Sequence, residues 1–178
     1  LISFKQFMVF PESKNTSEFK NINYNIAYAY FKIKDYDQAG DFFQAHIEVV
    51  KDDKIRLNDS YLRLGDSRFV TAKYWPAMDA YNKAIDLKSI DADYAAFQKG
   101  ISYGFVSKND KKIEDLTKLI ATYLKSQYRD DALFELGNTY VAEKNFDLAI
   151  KTYEQLLNEF KKGSYASKSI LRHDAKSI

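Results

Sequence analysis

The residues with the chemistry for acid–base or metal work are few and far apart. The chain holds two histidines, His46 and His173, and no cysteine. One histidine per region and no thiolate leave a zinc site without a ligand set and a histidine-centred nucleophilic triad without partners. His46 falls in the closing stripe of a helix pattern, so it is read as a structural histidine. Carboxylates pair at Asp52-Asp53, Asp91/Asp93, Glu114-Asp115 and Asp130-Asp131. Two-carboxylate hydrolysis needs such groups to converge across a cleft. Asp91, Asp93, Asp130 and Asp131 instead stand at the starts of helical patterns, where a carboxylate accepts backbone N–H bonds and meets the positive end of the helix dipole. The six glycines are scattered and form neither a GxGxxG nor a Walker pattern. No catalytic residue, metal site or cofactor is therefore assigned, and the chain is read as a non-enzyme.

Composition narrows the remaining classes. Hydrophobic residues make up 46% of the 178 positions and charged ones 29%, enough for a core and too ordered a balance for a disordered chain. With 6 Gly and 2 Pro, an all-β fold of many tight turns is disfavoured. The 27 basic and 25 acidic residues are interspersed and net to +2, so no basic arm for nucleic acid is present. No apolar run reaches the roughly 20 residues of a membrane span, and no signal peptide is evident. The sequence begins at Leu1 and is read as a fragment or processed product of a longer chain.

The elements that would position any site come from an internal repeat. One pattern recurs four times: Ile26-Ala27 with Tyr30, then Tyr36, Ala39 and Phe43; Leu64-Gly65, then Tyr74, Ala77, Tyr81, Ala84 and Ile85; Gly100 with Tyr103, then Ile113, Leu116, Leu119 and Ile120; Leu136-Gly137 with Tyr140, then Phe146, Ala149, Tyr153, Leu156 and Leu157. The small residues Ala27, Gly65, Gly100 and Gly137 are 38, 35 and 37 positions apart. A small residue beside a large apolar one lets a first helix approach a second, and the alanine of the second helix receives it. Apolar residues three and four apart close the pair. Turns at Lys34-Asp35, Ala72-Lys73 and Lys144-Asn145 join the helices, and Pro76 near a helix start costs little. The third pair departs from the pattern: Lys99 takes a slot usually apolar and Lys112 stands where the alanine belongs, so it should pack least well.

This spacing resembles the tetratricopeptide repeat family, whose period is about 34 residues. The resemblance implies an all-α fold, a right-handed superhelical array of antiparallel helix pairs. The expected organisation is 1–16 as the end of a preceding unit, full units at 17–51, 52–89, 90–125 and 126–162, and a terminal helix at 163–178. Phe4, Phe7, Met8 and Phe10-Pro11 carry the first of these partial units, and Asp174 replaces a glycine in the last. A narrower resemblance lies in Lys125-Ser126-Gln127-Tyr128 followed by Asp131-Ala132-Leu133. It looks like the junction in bacterial envelope tetratricopeptide proteins, such as the lipoprotein of the outer-membrane β-barrel assembly machinery and the periplasmic partner of the Tol-Pal system. Leu124 and Lys162 stand where that junction usually has proline. The resemblance implies a periplasmic or envelope setting, with the cytoplasm as the alternative.

In stacked pairs of this kind the first helices line a concave face. Tyr24, Asn25 and Tyr28, then Leu62, Arg63 and Asp66, then Tyr94, Phe97, Gln98 and Ile101, then Phe134 and Asn138 are expected there. Asp59 and Phe69 belong to the same face. Rings with interspersed amides and charges suit a protein or peptide partner. The lysine–asparagine clamp by which some family members hold a C-terminal carboxylate has only Arg63 to offer here, and is not expected. The competing reading is a passive spacer between other domains, with a small-ligand site as a third.

Overall fold

The computed structural model describes residues 17–88 and 90–160; the expected partial units at both ends, with His173 and Asp174, lie outside the described residues. Those residues form eight α-helices and no strand. They fall into two compact halves, divided between Ile90 and Asp91. The N-terminal half holds α1 (Ser17–Lys32), α2 (Tyr36–Val49), α3 (Lys54–Val70) and α4 (Tyr74–Asp86). The C-terminal half holds α5 (Ala92–Phe105), α6 (Asn109–Thr122), α7 (Arg129–Ala142) and α8 (Phe146–Glu159). Within each half every helix packs on the next.

Each pair is closed by the same two-residue turn. Lys34, Ala72, Ser107 and Lys144 adopt the left-handed conformation, with φ of 64°, 57°, 57° and 59°. The next residue then donates its N–H five residues back: Asp35 to Tyr30 O (3.0 Å), Lys73 to Arg68 O (2.8 Å), Lys108 to Tyr103 O (2.9 Å) and Asn145 to Tyr140 O (2.8 Å). This is the Schellman arrangement, and it satisfies carbonyls that the helix end would otherwise orphan. That donor is also the N-cap of the second helix. Asp35 and Asn145 complete the cap by accepting from Gln38 N (3.3 Å) and Leu148 N (3.4 Å). Lys73 and Lys108 have no acceptor to offer and make no such bond.

The small residues of the pattern are notches for rings. A Cβ at Gly65 would sit 2.5 Å from the Tyr81 ring, and one at Gly137 would sit 2.4 Å from the Tyr153 ring. Both tyrosines are buried. In the N-terminal half the core also gathers Ala27, Ala39, Phe43, Ile47 and Leu64; in the C-terminal half it gathers Leu116, Leu119, Leu133, Leu136 and Leu156.

The third pair accommodates its lysines through ions. Lys112 runs its stem over Gly104, where a Cβ would be 3.1 Å from Cδ, and places Nζ 2.8 Å from Glu135 on α7. Lys99 lies 3.4 Å from Asp115. Burial raises the Asp115 pKa above its ordinary value, against the pull of Lys99. One capping expectation is corrected. Asp91 precedes α5 in the left-handed region (φ 66°) and makes no side-chain cap bond. The helix starts with a carboxylate cap include α3, where Asp53 accepts from Arg56 N at 3.0 Å.

Candidate functional site

In the N-terminal half, α1 presents Tyr24 and Tyr28 one turn apart, and α3 presents Asp59, Arg63 and Asp66 on the side facing them. Both phenols donate to one carboxylate oxygen: Tyr24 Oη to Asp59 Oδ2 at 2.8 Å and Tyr28 Oη to the same atom at 2.5 Å. Arg63 bridges onward, with Nε 3.5 Å from Asp59 Oδ1 and Nη1 2.7 Å from Asp66 Oδ2. Tyr81 on α4 closes the chain by donating to Asp66 Oδ1 at 2.9 Å. The Tyr24 and Tyr28 rings meet edge to face at 4.9 Å, and Arg56 lies over the Tyr24 ring at 6.0 Å. Four residues expected on one face, Tyr24, Tyr28, Arg63 and Asp66, are thus brought together in one network with Asp59. Asn25 is exposed beside it on α1, and Leu62, expected on the open face, is buried at 2% exposure.

Burial, followed by the hydrogen bond each gives to Asp59, holds the Tyr24 and Tyr28 phenols above the ordinary tyrosine pKa. Phenols held that way stay protonated near neutral pH and act as donors. For Arg63 burial pulls the other way, and the Tyr28 hydrogen bond with the charges of Asp66 and Asp59 outweighs it. The arrangement can bind and orient, with two carboxylates and one guanidinium between them.

In the C-terminal half the same face is built from rings and an amide. Phe97 on α5 stacks on Tyr128 with centroids 5.7 Å apart and planes 16° from parallel. Tyr94 meets the same ring at 5.4 Å, and Gln98 Nε2 donates to Tyr94 Oη at 3.1 Å. The segment before α7 is folded by Ser126, whose Oγ donates to Asp93 Oδ2 at 2.6 Å and accepts from Tyr128 N at 3.0 Å. Tyr94, Phe97 and Gln98 are therefore brought together, and Tyr128 joins them from outside the expected set. Ile101 is half-buried on α5. Asn138 Oδ1 accepts from Tyr153 Oη at 2.8 Å. Phe134 is a correction: expected on the open face, it is 8% exposed and belongs to the core. α7 is covered on two sides, by α6 and α8, and its buried arc takes in position 134.

His46 is fully buried, with Nδ1 2.8 Å from Ser60 Oγ and its ring 5.1 Å from that of Tyr24. Burial lowers its pKa below the ordinary imidazole value. Among the described residues no three His, Asp or Glu side chains are grouped to hold a metal, and no helix is long and apolar enough to cross a membrane.

Two segments match tetratricopeptide repeat family models, residues 21–49 and 131–162. No curated protein matches the sequence. Among solved structures, the chain is similar to MamA (TM-score 0.71, 21% identity, covering 89% of this chain and 84% of that one). It is similar to the apo form of RapI (TM-score 0.71, 12% identity, 93% and 64%). It is also similar to a tetratricopeptide repeat protein from Parabacteroides merdae (TM-score 0.71, 15% identity, 84% and 57%). The chain thus spans less than two thirds of the length of the last two. At these identities the likeness concerns the fold: the chain is an all-α, tetratricopeptide-like array of helix pairs.

Proposed function

We propose that the chain is a non-catalytic protein–protein interaction segment that takes a partner protein or peptide on its first-helix faces, as part of a longer bacterial envelope protein. The observation that carries this reading is the fixing of half-exposed rings by side-chain bonds. Asp59 pins Tyr24 and Tyr28; Gln98 and the Tyr128 ring hold Tyr94 and Phe97. Rings already held in one rotamer lose little freedom when a partner packs on them, and aromatic anchors carry much of the energy of such contacts. The tetratricopeptide fold commonly serves protein binding, which supports the scaffold part. The envelope part is supported by the Lys125–Tyr128 junction and its likeness to envelope repeat proteins.

A passive spacer is favoured by one observation: the hydroxyl protons of Tyr24 and Tyr28 and an N–H of Arg63 are already given to partners inside the chain. The two readings separate in one experiment. The chain and an Asn25→Arg, Gln98→Arg variant, matched for helicity by circular dichroism, are used to capture proteins from envelope and cytosolic fractions. The binding reading expects a partner from the envelope fraction that the variant loses. Identical capture by both forms would count against the first-helix faces, and unchanged function of a parent chain carrying the variant would favour the spacer.

A further inference from the structure

On the side of the N-terminal half away from α1, the second helices α2 and α4 flank a cleft of about 610 Å³ floored by α3. Gly40 lies under the Arg68 head, where a Cβ would be 3.1 Å from Cζ, and Pro76 and Asp79 form the α4 wall. The corresponding stretch of the C-terminal half carries different side chains: Ile113 stands in the place of Gly40, Tyr140 of Arg68, Leu148 of Pro76 and Thr152 of Ala80. The cleft's cations are missing there too, since Asn145 and Gln155 take the places of Lys73 and Lys83.

The chemistry of the cleft is bipolar. At one end the Arg68 side chain is 15% exposed and gives one N–H to Asp41 at 2.6 Å. A guanidinium has five N–H donors, and among the described residues Arg68 makes no other side-chain hydrogen bond. Lys73 stands at the same end, tied to Asp37 at 2.6 Å in a largely exposed pair. At the other end the Lys83 ammonium has no ion-pair or hydrogen-bond partner among the described residues. Ten residues of α4 separate Lys73 from Lys83, about 15 Å along the helix. Between the poles the floor is Ile47, Leu64 and Ala80, with Asp79 on the wall.

We propose that this cleft is a second binding site, for a peptide segment carrying two side-chain carboxylates separated by apolar residues. One carboxylate takes the unused donors of Arg68, a planar fork suited to that group. The other meets Lys83, and the apolar residues between them cover the floor. Asp79 repels a continuous acidic run, so the two acids must stand apart. A span of about 15 Å is four to five extended residues at about 3.3 Å each.

The test is a titration of the ¹⁵N-labelled chain with the capped peptide acetyl-Glu-Leu-Ser-Leu-Ser-Glu-amide. Controls are its Gln-for-Glu and Lys-for-Glu counterparts and a capped tripeptide with one carboxylate, acetyl-Ser-Leu-Glu-amide. The expected result is a set of amide shifts centred on Gly40, Arg68 and Ala80 with the acidic hexapeptide, at least about tenfold weaker with the Gln form. Arg68→Gln and Lys83→Gln should each weaken it about fivefold, the worth of one modest ion pair, and added salt should weaken it further. Ala80→Met, which fills the floor without touching charge, should also reduce it and covers the case in which Arg68→Gln misfolds. Equal response to the Gln peptide, preference for the Lys peptide, or shifts centred on α1 would each overturn the proposal. Binding of the tripeptide as tight as that of the hexapeptide would overturn the two-pole reading, because a single carboxylate would then suffice.

Discussion

In the N-terminal half the hydroxyl of Tyr81 ends on a carboxylate, Asp66; 72 positions on, the hydroxyl of Tyr153 ends on an amide, Asn138. The hydrogen-bond lengths are 2.9 and 2.8 Å and the glycine notch beside each ring is alike. The charge around the two sites is not. Arg63 stands three residues before Asp66 and pairs with it at 2.7 Å. The residue three before Asn138 is Glu135, which turns to Lys112 on α6. A carboxylate at 138 would face a like charge, and an amide avoids that. The repeat therefore keeps the shape of the contact and lets each half settle its own charge, so two faces of one design offer a partner different chemistry.

The notches should give the largest response. A helical Gly→Ala change usually stabilises by up to about 1 kcal/mol, but Gly65→Ala and Gly137→Ala drive a Cβ into a buried ring and should cost about 2–3 kcal/mol. Gly100→Ala is the control. Its Cβ would meet the Leu116 Cδ2 tip at 3.0 Å, a group able to rotate, so the loss should be under about 1 kcal/mol. Urea midpoints of the three variants check this, and equal losses would break the notch account.

Exchanging the polar partners sharpens the comparison next. Asn138→Asp should lose about 1 kcal/mol at neutral pH, the cost of a poorly partnered half-buried carboxylate. Glu135 and burial would hold its folded pKa above that of the unfolded chain, so the loss should fade as pH drops and the group protonates. Asp66→Asn keeps an oxygen for Tyr81 but leaves Arg63 half-paired, and should cost about 1 kcal/mol with no such recovery in acid. Chemical denaturation at pH 7 and pH 4 separates the two.

The halves should also differ in their response to mild acid. Burial depresses the folded pKa of His46, while the unfolded histidine titrates near about 6.5. Below that value the unfolded state takes up a proton that the folded state resists, so the stability of the N-terminal half should fall as pH drops from 7.5 to 5.5. The corresponding residue in the C-terminal half is Leu119, buried and without a titratable group. The single tryptophan, Trp75, lies in the N-terminal half and reports its unfolding. His46→Gln should flatten the pH dependence of that signal, and an unchanged slope would assign it to other groups.

The smallest effect is expected at the turns. Lys144→Gly relieves a left-handed non-glycine residue and should stabilise by about 1 kcal/mol, readable as a rise of a few degrees in Tm.

The pairing of helices was legible because its cause is local: a small residue, a ring sixteen positions on, and an apolar stripe between them. Gly65 with Tyr81 and Gly137 with Tyr153 state it in sequence as they do in space. Side-chain direction was less legible where a helix is covered twice. Ala132, Leu133, Phe134, Leu136 and Gly137 are all buried, an arc too wide for the single stripe that periodicity assumes. Leu62 went astray for the same reason, with α2 and α4 both packed on α3. Tyr128 could not be found by period, since it precedes α7 and its place depends on Ser126 reaching Asp93. Asp59 was on the expected face, but that one carboxylate would gather two phenols depends on the register of α1 against α3, which no spacing within either helix encodes.

That register has a lock of its own. A tyrosine ring seated against bare backbone works as a key in a slot. Shifting the register of α4 against α3 by one residue would move the ring about 1.5 Å and swing it about 100°, off the notch at Gly65. Neither Leu64 nor Asp66 beside it offers a second slot, so the pair has one alignment it can close in.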